Sequence, residues 1–570
     1  NSAAEQQGRK CTGRDVGSKP ELSDMFNDDE ALDRWNTAEA SATVTSHGNE
    51  AMVINAIVAA EDRSEEVCGE RFTILIQVKA LGAARMNQRR VNVDLVAVLD
   101  VSGSMAGPKL GLMKQAMRLL VRSLGHGDRL SIVAFSSKAR RVLPLKRMTL
   151  EGRRAAMEAV ESLVSQGGSS IADGLCKGLQ VLRQRRESNP VAAAMLLSDG
   201  QDSFTMQSPT APLADLGRAC AGSRSSPNAE EAEAGGSYGR NNEIFPVHTF
   251  GLGMDHDAST LHAIAEESGG TFSLIQGEGH DVQDAFAQCL GGLFSVVAQR
   301  VEVAVQLVTT EAMAAPAELK GVEAGSYSCK TIVPGRHVEI HLGDLYADEE
   351  RDMLASVCVP VKEQSDNCGT ITTLLNVEAR YVNPLSGASL RMPVAPVAVK
   401  HPPEAIDSSG TSSTVNHVVL IDQHRNRLRG SKAIAEARSL ADSGDFVAAQ
   451  RCLELARQQL QSSIAFALGD SASKALDTEL GCIHGHMKNR HVYHQTMGRA
   501  YALSAQSSYL RQRAAMRASP MWSPSAKCSG GGSNGGPPRA YCTPSMTSML
   551  QFSRNFSCSP ATPSSVSSTG

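Results

Sequence analysis

Four stretches of the chain are nearly unbroken apolar runs: VNVDLVAVL (91–99), RLSIVAF (129–135), VAAAMLL (191–197) and EIFPVHTFGL (243–252). Runs without alternation predict strands buried on both faces, as in a parallel sheet. Between the first two, Leu110, Met113, Met117, Leu120, Val121 and Leu124 recur at helical spacing, and Ile171, Leu175, Leu179 and Leu182 do so later. About 30 residues separate these first two runs, the length of a right-handed βαβ unit. Residues 91–299 are therefore expected to form a doubly wound α/β domain. One stretch breaks the rhythm: residues 203–242 are rich in Ser, Gly, Pro and Glu, which predicts a disordered loop.

The flanks have a different texture. Over 41–90 the segments ATVTSHGNEAMVINAIVA and RFTILIQVKA alternate as strands do, and are expected to join a β-sandwich predicted for 300–400. In that region short alternating runs are separated by turn signals at Pro334-Gly335 and Asn383-Pro384. From 426 to 517 the period becomes helical. Ile434, Ala437 and Ala441 form one stripe and Phe446, Ala449, Leu453, Ala456 and Leu460 a second. Ser443-Gly444-Asp445 stops the first helix and caps the next. Residues 1–40 are a polar segment. Residues 519–570 form a low-complexity, disordered tail with one island, AYCTPSMTSMLQFSRNF. The expected class is thus multidomain: an α/β domain, a β-sandwich region and a C-terminal helical region.

Composition narrows the function more than the fold. Lys plus Arg number 56 against 60 Asp plus Glu, for a net charge of −4, so neither nucleic acid nor an anionic membrane is an expected partner. No apolar stretch is long enough to span a bilayer. The 13 cysteines are odd in number and contain no CxxC, so no disulfide framework is expected and the cytoplasm or nucleus is the expected location. Cys358 and Cys368 read as buried thiols.

The chemistry concentrates where the first apolar run ends, in DLVAVLDVSGSMAGPK (94–109). Asp100, Ser102 and Ser104 place three side-chain oxygens on one turn. Three readings compete: a plain helix cap, a nucleophilic serine and a metal site. A cap does not account for the oxygens at two other predicted strand ends, Ser169 in SQGGSSIADGL and Asp199 in MLLSDGQD. A serine hydrolase wants G-x-S-x-G and a partner histidine, which are lacking. A phosphate loop wants the Walker spacing, and GSMAGPK does not have it. Hard oxygen ligands on several loops of an α/β sheet suit Mg²⁺, with Mn²⁺ as a substitute.

Asp-x-Ser-x-Ser after a strand, a hydroxyl in a later Gly-Gly turn and a strand-terminal Asp together resemble the metal-ion-dependent adhesion site of von Willebrand factor A domains. The resemblance implies that Asp100, Ser102, Ser104, Ser169 and Asp199 hold the ion, directly or through water. A protein partner's carboxylate would complete it. Ser169 stands where the family usually has threonine, so the methyl that helps fix the hydroxyl rotamer is lost. More broadly, LDVSGSMAGPKLGLMKQAM, GDRLSIVAFSSKARRVLPLKRMT, YHQTMGRA and YCTPSMTSML resemble plant von Willebrand A proteins of the wavy-growth type. That resemblance implies RING-type E3 ubiquitin ligases with an N-terminal C3HC4 RING.

The chain departs from that pattern at its beginning. Before residue 91 there are only Cys11, His47 and Cys68, too few for the eight ligands of two zinc ions. The chain is expected to be a fragment from downstream of a RING, or a member without one. No catalytic centre is visible. The expected function is a non-catalytic interaction module, with the substrate-recognition part of an E3 ligase as the alternative. A second cluster, Cys482, His484, His486, His491 and His494, has spacing that suits tetrahedral zinc poorly. It reads as polar helix-face residues, and no zinc is expected.

Overall fold

The computed structural model describes residues 26, 29–32, 51–60, 70–82, 90–200, 244–253, 256–276, 281–308, 317–359, 370–401, 412–495, 497–516 and 541–558. The loop at 203–242, most of the polar segment 1–40, Cys368 and the tail outside 541–558 lie outside the described residues.

The four apolar runs become β3 (Val93–Asp100), β4 (Arg129–Phe135), β6 (Val191–Ser198) and β7 (Val247–Leu252), all parallel. All eight residues of β3 are buried. Two strands not singled out in the sequence complete the sheet: β5 (Ala139–Arg147), antiparallel to β4, and β8 (Phe272–Ile275). The order is β5-β4-β3-β6-β7-β8, so the chain moves to one side of β3 and then to the other. This reversal is where an open α/β sheet leaves a crevice at its carboxyl end.

Helices cover both faces. On one lie α1 (Pro108–Ser123), α2 (Leu150–Glu161) and α5 (Asp281–Leu293); on the other lie α3 (Ile171–Gln184) and α4 (Ala258–Ser268). The two-residue period of β3 serves both. Val93, Leu95, Ala97 and Leu99 pack with α1 and α5, whereas Val96 and Val98 pack with α3 and α4.

Two further sheets lie beside this domain. One has the order β1 (Met52–Ala60), β2 (Glu70–Ala80), β13 (Glu350–Val359), β10 (Glu318–Glu323). The other runs β11 (Ser328–Val333), β12 (His337–Tyr346), β9 (Val296–Leu307), β14 (Thr370–Val382), β15 (Ser389–Arg391), with β16 (Ala395–His401) also on β14. Phe72, Ile74 and Ile76 from the first share one core with Val303, Val305, Ile340 and Val377 from the second. β9 begins at Val296 and, among the described residues, its strand partners belong to this second sheet, so the α/β domain ends with α5 at Leu293 rather than at 299.

The helical section starts at Ser412, earlier than the predicted 426, because α6 (Ser412–Asp442) extends back to pack against β1, β2 and β13. A turn at Gly444, whose φ of 92° suits a residue without Cβ, leads into α7 (Phe446–Gln461). The Asp445 carboxylate caps α7 by accepting from Ala448 N–H at 2.9 Å. The short α8 (Ile464–Ala467), α9 (Ser471–His486), α10 (Arg490–Gln495) and α11 (Gly498–Arg511) follow. The island in the tail is helix α12 (Pro544–Cys558), docked on α5 through Met546 and Leu550. Gly291 permits this, since a Cβ there would lie 2.6 Å from Met546 Cα.

The chain leaving α11 ties these parts together. Ser507 Oγ donates to Glu266 Oε1 of α4 at 2.9 Å. Gln512 takes a left-handed φ of 50° and accepts the Asp352 N–H at its Oε1, 3.0 Å away. Arg513 then donates through Nε and Nη2 to both oxygens of buried Glu349, each at 2.9 Å, and lies 4.0 Å from the Tyr346 ring centroid. Burial alone would raise the Glu349 carboxyl, but Arg351 and Arg513 overcome it and hold it below its ordinary value. Of the described cysteines, Cys289, Cys329, Cys358, Cys452, Cys482 and Cys542 are free, and Cys176 is disulfide-bonded, a bridge the sequence reading did not expect. No described helix is long and apolar enough to cross a membrane.

Two stability predictions follow from these buried groups. Arg513→Ala leaves Arg351, 2.7 Å away, as the remaining guanidinium on Glu349 and removes a buried pair and its hydrogen bonds, so it is expected to cost about 3 kcal/mol in urea unfolding, where a surface ion pair would cost under about 1. His248 and His262 are held neutral, burial pushing them down to about 3 and about 4 from 6.5. The unfolded chain therefore takes up those protons first, and stability should fall as pH drops below 6.5, by up to about 1.4 kcal/mol per pH unit for each histidine. A urea midpoint unchanged between neutral pH and pH 5 would contradict this.

Candidate metal centre

The five predicted oxygens converge at the carboxyl end of the α/β sheet, at the switch between β3 and β6. Asp100 is the last residue of β3 and Asp199 follows β6; both are fully buried. Ser102 stands at the N-cap position of a single 3-10 turn (Gly103–Met105) after β3, Ser104 lies within that turn, and Ser169 precedes α3.

Backbone bonds lace the loops together. Gly103 N–H donates to Gly167 O at 2.9 Å, Gln166 N–H to Val101 O at 2.7 Å, and Ser170 N–H to Ser136 O at 2.9 Å. Gly167 sits at φ 76°, a conformation the Gly-Gly turn supplies without a Cβ penalty.

Within this frame the side chains form a continuous chain of contacts. Ser102 and Ser104 hydroxyls are 3.0 Å apart, and Ser104 Oγ donates to Asp199 Oδ1 at 2.8 Å. Ser169 Oγ donates to Asp100 Oδ2 at 3.1 Å, while Asp100 Oδ1 accepts the Ser102 N–H at 2.8 Å. Burial raises the Asp100 carboxyl; donors from Ser102 and Ser198 pull it down, the Asp199 charge pushes it up again, and the net shift is upward.

The helix-cap reading fails on this geometry. The residue capping α1 is Gly107, without a side-chain cap, and Ser102 makes no cap bond to its own turn. The nucleophile reading gains nothing either, because the bonds of Ser104 Oγ are to Ser102 and Asp199, not to a histidine.

The oxygen set fits a small divalent ion. Mg²⁺–oxygen distances of 2.0–2.1 Å put neighbouring octahedral ligands about 2.9 Å apart. The Ser102–Ser104 and Ser169–Asp100 separations of 3.0 and 3.1 Å match that edge. Among the described residues no group of three or more His, Cys, Asp or Glu is placed to hold an ion, so a cation here depends on the hydroxyls.

Two members of the site were not singled out in the sequence. Ser198, fully buried, donates to Asp100 Oδ2 at 2.6 Å. Its place directly before Asp199 was the available signal. Lys109, in the first turn of α1, donates from Nζ to Asp199 Oδ2 at 2.5 Å. The site thus contains its own cation on one of its two carboxylates.

Comparison with known proteins accords with this geometry. A family model, von Willebrand factor type A domain, matches residues 94–288. The α/β unit is a von Willebrand factor type A domain. A second model, described as VWA / Hh protein intein-like, matches residues 470–555, the stretch holding α9 to α12. The chain is homologous to E3 ubiquitin-protein ligases of Arabidopsis thaliana. It is 33% identical to WAV3 over 386 residues, 66% of this chain and 43% of WAV3. It is 30% identical to WAVH1 over 442 residues, 74% of this chain and 53% of WAVH1. The chain therefore spans about half the length of these relatives. No RING is found in it. A von Willebrand factor type A structure from Catenulispora acidiphila has the same fold, with a TM-score of 0.55 at 17% identity, covering 82% of this chain and 97% of that one. Type A domains are protein-interaction modules that generally carry a divalent-metal site.

Among the described residues the other cluster does not form a group placed to hold a metal ion. Cys482, His484 and His486 lie on α9, and His491 and His494 on α10. His486 packs on Tyr501 at 5.2 Å between ring centroids, and His494 on Tyr493 at 4.9 Å.

Ser198→Ala removes the shortest donor to Asp100. It is expected to cost about 1–3 kcal/mol in urea unfolding without divalent ions, because a buried carboxylate loses a partner. Ser198→Thr, which keeps the hydroxyl, should restore most of that stability.

Proposed function

We propose that this protein captures a partner through a divalent cation held by Asp100, Ser102, Ser104, Ser169 and Asp199. Mg²⁺ is the preferred ion, with Mn²⁺ as a substitute, and the partner presents a carboxylate. The observation that carries this reading is the spacing of the hydroxyl and carboxylate oxygens, close to an octahedral edge, on three loops at a sheet switch point. Bound there, the ion would supply a Lewis-acidic position for an oxygen anion from outside. Ser102 and Ser169 are buried whereas Ser104 is exposed, so the approach lies on the Ser104 side. Nothing in the bonding of these serines activates a nucleophile, which favours binding over catalysis.

Homology to WAV3 and WAVH1 favours a more specific version, in which this is the substrate-recognition portion of a RING-type E3 ubiquitin ligase. In that version the type A domain holds the substrate while a RING elsewhere engages the ubiquitin-loaded enzyme. Such work belongs to the cytoplasm or nucleus.

Isothermal titration with Mg²⁺ and Mn²⁺ tests the shared core of both versions. Asp100→Ala and Asp199→Asn should abolish the binding heat, and chelation should abolish partner capture. Lys109→Met should tighten Mg²⁺ binding about tenfold or more, since the ion no longer displaces a salt bridge on a buried carboxylate. Capture that survives both chelation and Asp100→Ala would refute the ion-bridged reading.

A further inference from the structure

A second site lies at the opposite end of the α/β sheet. A cleft of about 320 Å³ opens between the end of α3, the segment leading into β6, the start of β9 and the turn joining β14 to β15. Its walls include Arg183, Arg185, Asn189, Gln299, Arg300 and Asn383. Three arginines line it, and among the described residues no aspartate or glutamate does.

A buried arginine cluster adjoins it. Asp94, at the amino end of β3, is shared between two buried arginines: Arg129 donates to both its oxygens at 2.7 Å and Arg185 to Oδ2 at 2.9 Å. One carboxylate thus answers two cations. The other nearby acid, Asp344, is taken up by the cleft wall, accepting the Arg300 N–H at 3.1 Å and Gln299 Nε2 at 3.3 Å.

Arg183 makes no ion pair among the described residues, and its Nε and Nη1 are buried without hydrogen-bond partners. Withdrawing part of a guanidinium from water without a partner is costly, and this partial burial pushes the Arg183 pKa below its ordinary value. Arg300 adds an independent signal. It occupies the left-handed region at φ 51°, where a long side chain costs backbone energy that glycine would avoid. The strained backbone holds an exposed guanidinium at the cleft rim.

We propose that this cleft binds a phosphomonoester group, with Arg183 and Arg300 as its principal ligands. Planar guanidinium forks match phosphate oxygens in pairs, and two of them with Arg185 behind suit a dianion better than a single carboxylate. The cleft has room for a phosphorylated side chain or a small phosphate ester. The site is remote from the oxygens of the metal centre, since Asp94 and Asp100 mark opposite ends of β3. Its occupancy therefore does not depend on the metal reading.

The test is calorimetric titration of the full chain, with chelator present so that metal–phosphate complexes cannot contribute. The probes are inorganic phosphate and a phosphoserine peptide, with the unphosphorylated peptide as control. Arg300→Gly relieves the backbone and should fold at least as well as the parent, while Arg183→Gln keeps a polar group at the wall. Each is expected to weaken binding about tenfold, and the double variant to abolish it. Tighter binding of the phosphopeptide than of phosphate would support a protein-borne source, and equal affinity a free phosphate ester. Absence of binding to both probes at millimolar concentration, or binding that both variants leave unchanged, would overturn the proposal.

Discussion

The pairing of Arg513 with Glu349 is the contact on which the arrangement of the whole chain depends. It joins residues 164 positions apart, lies fully inside the protein and brings the end of the helical section against the hairpin between β12 and β13. Such a pair is tolerated only if its remaining donors and acceptors are satisfied. Here Arg513 Nη2 also donates to Asp344 O at 2.7 Å, and Glu349 Oε2 accepts the Tyr346 N–H at 2.9 Å. Neighbouring Gln512 accepts from Asp352 N–H and returns its Nε2 to Asp352 O, each at 3.0 Å. The left-handed turn at Gln512 aims these two consecutive side chains into the sheet, and it makes the segment after α11 a clasp instead of a tail.

With the clasp in place, the α/β domain is held on several sides while its carboxyl end keeps an exposed serine. The α11 helix covers β8 and α4, α12 covers α5, and β9 leads straight out of α5 into the neighbouring sheets. None of the contacts that fix these elements involves Ser104. Among the described residues, these parts brace the turn after β3 and the end of β6 as far as Gly200, and Ser104 stays exposed. Preorganisation matters for a hydroxyl-rich site, since neutral oxygens bind an ion well only when several are held at the right spacing beforehand.

How much of this was legible in the sequence depended on the range of the interactions. β3, β4, β6 and β7 were readable because burial on both faces writes an unbroken apolar run. The placement of the five side chains was readable because each ends, follows or directly precedes an element whose period shows. β5 was not: ARRVLPLKR lies at an edge and carries four basic residues along one half-exposed strand. α2, with the sequence LEGRRAAMEAVE, buries only Gly152, Ala156 and Val160, too narrow a stripe to stand out. The docking of α12 through Gly291 was hidden because its partner lies some 250 residues away in sequence, and local pattern holds no trace of that. Lys109 carries no signal of its own in the sequence, and only the fold shows that its ammonium reaches Asp199.

That lysine sharpens the proposal of an ion site at these oxygens. Burial pushes the Asp100 carboxyl upward and the nearby Asp199 charge adds to it, so a counter-charge at this pair is favourable. Lys109 supplies one from within the chain, at the oxygen of Asp199 that Ser104 leaves open. The fold can therefore keep its loops in a binding-ready arrangement before any ion arrives. The same economy runs along the whole of β3. Asp94 at one end is answered by Arg129 and Arg185, Asp100 at the other by hydroxyls, and between them lie only apolar residues. A strand that is charged only at its two ends, and compensated differently at each, anchors the sheet at one end and offers binding chemistry at the other.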